Sequence, residues 1–354
     1  MNCSAAPSLF SVDKSSTRII VGEKAAALMT LVVNCIFTQI VAVVGCSCNL
    51  ITVLVLRRDG YKDPTNLLLL SLAIWDLLFL LSLWLRKLRC PVAYIAELLG
   101  GEENFMFAKR YNAYVTVYGV FPFYRTAMFV SMMHVVVMTF QRFLVVCFPL
   151  KVSQWVTVRS MMTVLVSLYV TSFAMFAPFF PGQAVGSAFD HKYNRTFPIF
   201  EFSTFYETNL QIMTVYNSGF VSIVRGPLSY FLVIFLSTVI VYKLSKADQK
   251  RSAMMSSNSA HGVKVTRMLL VVCAVYVGCS SPSFMLFPTS FFVPWFGIGN
   301  AQFYLFLDVE ELLQAINSSA NFFIYILMSK KFYNTCRDLM LCACNSSSRR
   351  AVHQ

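Results

Sequence analysis

The chain has 354 residues, of which 57% are hydrophobic and 13% charged, about half the charged share of an ordinary soluble domain. That composition leaves too little polar surface for a soluble globular fold and places the chain in a membrane. The formal charge of +13 does not indicate nucleic acid, because the basic residues fall between apolar runs, where membrane-flanking loops need them.

In chain order, residues 1–26 read as an extracellular N-terminus; MNCSAAPSLFSVDKSSTR lacks the basic-then-apolar order of a signal peptide. A bilayer core needs about 20 apolar helical residues. Seven segments meet that test, at 27–56, 66–86, 113–147, 160–180, 219–243, 265–290 and 304–328. The third and fifth carry Arg125 and Arg225. The fold class is therefore an all-α membrane protein, a seven-transmembrane helix bundle over residues 27–328. No internal repeat is evident, which disfavours transporters built from duplicated halves.

Basic residues orient the bundle. With the N-terminus outside, the inner segments hold seventeen Lys and Arg, and the outer segments hold ten among eleven acidic residues. Seven spans then put the C-terminus in the cytoplasm. Two glycosylation sequons, at Asn2 and Asn194, fall outside under the same orientation. Of the eleven cysteines, Cys35, Cys46, Cys48, Cys273 and Cys279 lie in apolar runs and read as small hydrophobes. The cysteines show no CxxC pair and no zinc-like spacing with histidine.

Polar groups within the spans cost several kcal/mol unless they face partners or water. Asp76 stands in the second span, in SLAIWDLLFL; Asn49, Ser131, Asn317, Ser318 and Asn321 are the others. Asn317 and Asn321, four apart, share a helix face. An amide or hydroxyl in such a place can simply bond a neighbouring carbonyl and help helices pack. A lone carboxylate must be protonated, paired or bound to a cation.

These residues occur in an order that resembles the rhodopsin-like family of G-protein-coupled receptors. The matches are Asn49, Leu72-Ala73-x-x-Asp76, Arg142 followed by Cys147-x-Pro149-Leu150, Pro227, Cys279-x-x-Pro282, and Asn321-x-x-x-Tyr325 followed by Phe332. The resemblance spans roughly residues 28 to 340. It implies that Asp76, Ser131, Asn317, Ser318 and Asn321 form a pocket for an allosteric sodium ion, the one cofactor expected. Oxygen-only ligands suit such a hard cation; a protonated Asp76 in a hydrogen-bond network is the rival. It implies that Arg142 contacts a heterotrimeric G protein when the sixth span swings outward, and that Tyr325 moves inward to support it. It implies arrestin as a further partner. It makes residues 329–344 an amphipathic helix on the inner membrane surface, with Cys342 and Cys344 as palmitoylation candidates, and residues 345–354 a cytoplasmic tail.

Departures from the family pattern accompany the matches. Gln141 replaces the acid before Arg142, and Phe143 the tyrosine after it. Glutamine cannot form the ion pair that normally latches the resting state, so raised basal signalling is expected. Ser280 stands in place of the sixth span's tryptophan, with Tyr276 one turn earlier as a partial substitute. Phe322 replaces a proline, which should weaken the kink in the seventh span. The fourth span lacks the family's tryptophan. No cysteine stands where the usual extracellular disulfide forms; Cys3 and Cys90, the two outer cysteines, are candidates to pair with each other.

Tyr124 occupies the position of the amine receptors' aspartate, next to Arg125, which disfavours a biogenic amine. The outer acids Glu97, Glu102, Glu103, Glu201, Glu207, Asp308, Glu310 and Glu311 suit steering of a basic peptide, or form a solvated rim with no ligand role. Arg125 and Arg225 suit a carboxylate or peptide C-terminus. The candidate ligand pocket is thus Tyr124, Arg125, Arg225, Asp308, Glu310 and Glu311. The reading is a plasma-membrane receptor, not an enzyme, that converts binding of an extracellular ligand, a neuropeptide above all, into G-protein activation. The alternatives are a membrane transporter or channel, or a receptor-like protein that does not signal conventionally.

Overall fold

The computed structural model describes residues 23–60, 63–191, 193–252, 260–292 and 301–351. Helices dominate them. The first, α1, runs through Glu23–Val32, a π-helical turn at Val33–Phe37, and Thr38–Asp59. Helix α2 covers Pro64–Leu99, interrupted only at Leu88. Helix α3 joins Glu102–Arg110, a π segment at Tyr111–Val120, and Phe121–Cys147; α4 is Val158–Phe176. Strands β1 (Gln183–Asp190) and β2 (Arg195–Phe202) follow. Helix α5 includes Leu210–Thr214, π turns at Val215–Val221 and Val224–Leu228, and Ser229–Ser252. Helices α6 (Ala260–Phe292), α7 (Ala301–Met328) and α8 (Lys330–Ala351) complete the described chain.

Helices α1 to α6 are each long and apolar enough to cross a membrane, and α7 passes jointly with α8, from which a bend of 101° separates it. All seven expected spans are helical. Local chemistry sets their ends. Asp63 caps α2 by accepting from the Thr65 N–H at 3.0 Å, with Pro64 in the first turn. Thr157 and Ser160 form a capping box at the start of α4. Gly100 and Gly101, at φ 65° and 86°, make the reversal between α2 and α3, a conformation that a side chain would strain. Helix α7 is unbroken at Asn321-Phe322, as the missing proline predicts.

The second span outruns its apolar segment. The expected limit was residue 86, where Arg86, Lys87 and Arg89 end the hydrophobic run; the helix continues to Leu99. Helix α8 likewise runs past the expected limit at 344 to Ala351. On α4 the buried residues are Met161, Leu165, Ser172 and Phe176, while Met162, Val166 and Val170 are exposed. Such an outward apolar face suits lipid, not water.

The core lies between the helices in three clusters. One end holds Leu68, Leu72, Met138, Leu269, Tyr325 and Phe332. The middle and opposite end hold Phe79, Leu83, Tyr124, Met132 and Tyr276. Phe129, Phe176, Phe179 and Met213 pack α3, α4 and α5 together. At the fourth helix, where the sequence lacks a tryptophan, Tyr169 packs at a tilt against Trp75 at 5.2 Å and its hydroxyl meets Ser71. Ser71 in turn bonds His134 Nε2 at 2.7 Å, tying α2, α3 and α4.

The loop between α4 and α5 forms an antiparallel hairpin, from Gln183 opposite Phe202 to Asp190 opposite Arg195. The aromatic character of this stretch was legible, but not its strand pairing. No disulfide to α3 is needed to hold it. Lys109 of α3 lies over Phe197 at 4.8 Å, Phe105 packs on Tyr193 at 4.9 Å, and Arg195 pairs with Glu102 at 2.5 Å. Asn194 sits exposed at the tip.

The disulfide differs from expectation. Cys90 bonds Cys35, not Cys3; Cys3 lies outside the described residues. Cys35 is therefore not a buried hydrophobe but a covalent link between α1 and α2. The helix that extends α2 past Leu88 carries Cys90 back against α1, which the apolar segment alone did not indicate.

Candidate functional site

Polar side chains form a column through the bundle, largely along α7. Spacings of three and four residues place Glu310, Gln314, Asn317 and Asn321 on one face of that helix. All four are buried. Partners come from α1, α2, α3, α5 and α6.

At the hairpin end the column is ionic. Lys87 Nζ donates to Asp308 at 2.6 Å and to the Asn34 side-chain oxygen Oδ1 at 2.6 Å, and it lies 2.7 Å from Glu311. Asn34 also donates to Asp308 at 2.8 Å. Arg86 pairs with Glu311, and its guanidinium stacks 4.5 Å over the Tyr124 ring. Arg225 pairs with Glu310. Arg125 donates to the Asn217 side-chain oxygen at 3.2 Å and lies 5.0 Å from the Phe179 ring. The six predicted pocket residues do gather here, but in a different state. Asp308, Glu310 and Glu311 are not an outer acidic rim: Asp308 and Glu310 are buried, the Glu311 side chain is 14% exposed, and each pairs with a cation.

Sequence reasoning missed Arg86, Lys87, Asn34 and Gln314. A signal for two of them existed. Steps of three and four from Asp76 lead through Phe79, Leu80 and Leu83, all buried, to Arg86 and Lys87. The hydropathy fall at Arg86 hid that periodicity by marking a span end.

In the middle of the column, Asp76 is fully buried. Ser131 donates to its Oδ1, and Asn321 Nδ2 donates to its Oδ2 at 2.8 Å. Asn49 donates to the carbonyls of Gly45 and Ser318, each at 3.0 Å, joining α1 to α7. Asp76, Ser131 and Asn321 are thus in direct contact, with Asn317 and Ser318 buried on the adjoining stretch of α7. On α6, Tyr276 donates to Ser229 of α5 at 3.2 Å, and Gln314 donates to Ser280 at 3.2 Å. Ser280 thus bridges α6 to α7 by a hydrogen bond at the position where the family pattern has an aromatic ring. Cys279 and Pro282 are partly buried nearby on α6.

At the far end, Arg142 Nη2 donates to Thr65 Oγ1 at 2.6 Å. Thr65 also satisfies the cap Asp63 through its backbone N–H, so the arginine is anchored to the start of α2. Gln141 is buried, and its side-chain oxygen has no hydrogen-bond partner among the described residues. Phe143 packs on Phe140 at 6.3 Å and on Phe148 at 6.2 Å. Tyr325 packs against Phe332 at 5.7 Å.

The profile of the family described as 7 transmembrane receptor (rhodopsin family) matches residues 48–325. The chain belongs to that family. The receptor is also 27% identical over 310 residues to somatostatin receptor type 5 of Rattus norvegicus, a match that covers 85% of this chain and 76% of the relative. It is thus a multi-pass membrane protein. The family is one of receptors, not enzymes. Among the receptor's modification candidates, Asn194 is exposed on the hairpin tip and Asn2 lies outside the described residues. Cys342 and Cys344 fall on the distal part of α8, and their side chains lie outside the described residues.

Proposed function

We propose that the receptor sits in the plasma membrane with the hairpin end outside, binds an extracellular peptide there, and activates a heterotrimeric G protein at the Arg142 end. The carrying observation is the run of buried polar side chains on α7, Glu310, Gln314, Asn317 and Asn321, the last of which donates to Asp76, with Tyr325 buried one turn beyond. A ligand that alters the pairs at one end therefore acts on a helix that packs against its neighbours as far as the other end, which suits a shift between two helix packings. The basic clusters Lys243 to Arg267 and Lys330 to Arg350 support the cytoplasmic placement of that end. Similarity to a receptor named for somatostatin supports a peptide, in keeping with a neuropeptide ligand. Arrestin would share the cytoplasmic surface.

A sodium ion would be held by the Asp76 carboxylate and the Ser131 hydroxyl, with Asn317, Ser318 and Asn321 as further oxygen donors. The residues fit such an ion: the hydrogen bonds given to Asp76 come from neutral groups, and all the donors are hard oxygens. Bound there, the ion offsets the carboxylate and favours the resting packing.

The test is G-protein activation in cells expressing the full chain, screened with an unbiased peptide library, with Arg142→Ala as the control. A response in the wild type that the variant loses supports signalling. Transport current without any G-protein response would favour the channel or transporter reading.

A further inference from the structure

We propose that Arg125 is an anion-accepting site for a ligand carboxylate, so that the receptor selects an acidic ligand group over a basic one. This rests on the ligand-binding reading above. Among the described residues, and besides the exposed Arg89 and the partly exposed Lys109, four cations lie within the bundle at its hairpin end: Arg86 and Lys87 from α2, Arg125 from α3 and Arg225 from α5. Three carboxylates meet them, all from α7. Asp308 and Glu311 engage Lys87, Glu311 also engages Arg86, and Glu310 engages Arg225. Every acid of the cluster is therefore taken.

Arg125 is the exception. Among the described residues no carboxylate pairs with it; its one hydrogen bond goes to the neutral Asn217 amide oxygen. Its guanidinium lies between aromatic faces, 5.0 Å from Phe179 and 5.7 Å from Phe121. Arg86, Lys87 and Arg225 are buried, at 7%, 1% and 6% exposure, while Arg125 keeps an intermediate exposure. The side chain without a counter-charge is thus also the least covered of the four.

The chemistry follows from these facts. A guanidinium has five donors in a planar fork and suits a carboxylate in two-point contact. A cation held in apolar surroundings without an anion carries an unrecovered desolvation cost, which a ligand anion relieves. A basic group would meet carboxylates already neutralised, and the repulsion of Arg125. The acid can come from a peptide C-terminus or from a small organic acid.

The experiment uses the full chain in lipid nanodiscs and reads thermal unfolding during titration. The probes share one skeleton: 3-phenylpropionate, 3-phenylpropionamide and phenethylamine, beside glycyl-phenylalanine as free acid and as amide. We expect saturable stabilisation by the two acids and none by the amides or the amine. Arg125→Gln should weaken acid binding on the order of tenfold to a hundredfold. Asn217→Asp should do the same while keeping the arginine, by placing an internal carboxylate on it. Tighter binding of the dipeptide acid assigns the site to peptide termini; tighter binding of 3-phenylpropionate assigns it to small acids. No saturable effect of either acid, undiminished binding in both variants, or equal stabilisation by phenethylamine overturns the proposal. Carboxylate binding with no G-protein response to any peptide in the screen would sink the signalling reading alone, and G-protein activation without carboxylate binding would sink this site alone.

Discussion

Gly45 shows how closely single residues are constrained. A Cβ there would overlap Ser319 Oγ and come within 2.8 Å of Leu80 Cδ1, so α1 meets α7 and α2 only because the side chain is absent. Gly45→Ala should cost about 1–3 kcal/mol as overpacking, read as a lower unfolding temperature, and Ser319→Ala should recover part of it. At the other end Gln141 leaves Arg142 without an adjacent acid. Installing one, as Gln141→Asp, should lower ligand-free G-protein activation; about 1 kcal/mol of added latch corresponds to about fivefold. Unchanged basal activation at equal surface expression would show that the Thr65 contact already holds the arginine.

Between elements, covalent and ionic ties replace the usual link of the third helix to the loop after the fourth. The Cys35–Cys90 bond joins α1 to the extension of α2, and Asn34 and Lys87 stand one and three residues from its cysteines. Cys35→Ser with Cys90→Ser should cost about 2–4 kcal/mol, seen as an unfolding temperature that no longer responds to reductant. The buried and exposed ion pairs should behave differently. Lys87→Met strands Asp308 inside the bundle and should cost about 3–5 kcal/mol, with Asp308→Leu restoring most of it. Arg195→Ala breaks a pair whose side chains are 66% and 37% exposed and should cost under about 1 kcal/mol. Equal losses in the two variants would contradict the burial of the α7 cluster.

For the whole molecule, the polar column lies between two ends that share no residue, and sodium at its middle is the proposal to test. If Asp76 holds sodium, the ion should raise the unfolding temperature of the wild type and reduce basal activation, and Asp76→Asn should remove both effects. Potassium at equal ionic strength separates specific binding from screening. Sodium dependence that survives Asp76→Asn would place the ion elsewhere.

Some of this architecture follows from local pattern. Seven apolar runs of sufficient length dictate seven helices, because a bilayer leaves the backbone no other partner. The family resemblance singled out Asp76, Ser131, Asn321 and Arg142 within those runs, and the structure brings the first three into contact and sets Arg142 against Thr65. Asn317 and Asn321 shared a face by helical period alone. Charge partners were a different matter. Arg86 and Lys87 read as a helix end, and Asp308, Glu310 and Glu311 as outer acids facing a ligand or solvent, because hydropathy scores a charge the same whether paired or bare. Lys87 and Asp308 are 221 residues apart, and no local period reaches that far. Cys35 looked like packing until the extension of α2 brought Cys90 to it. Composition and period determined the spans and their inward faces; only the tertiary structure decided which charges cancel, and so left Arg125 without a paired carboxylate among the described residues.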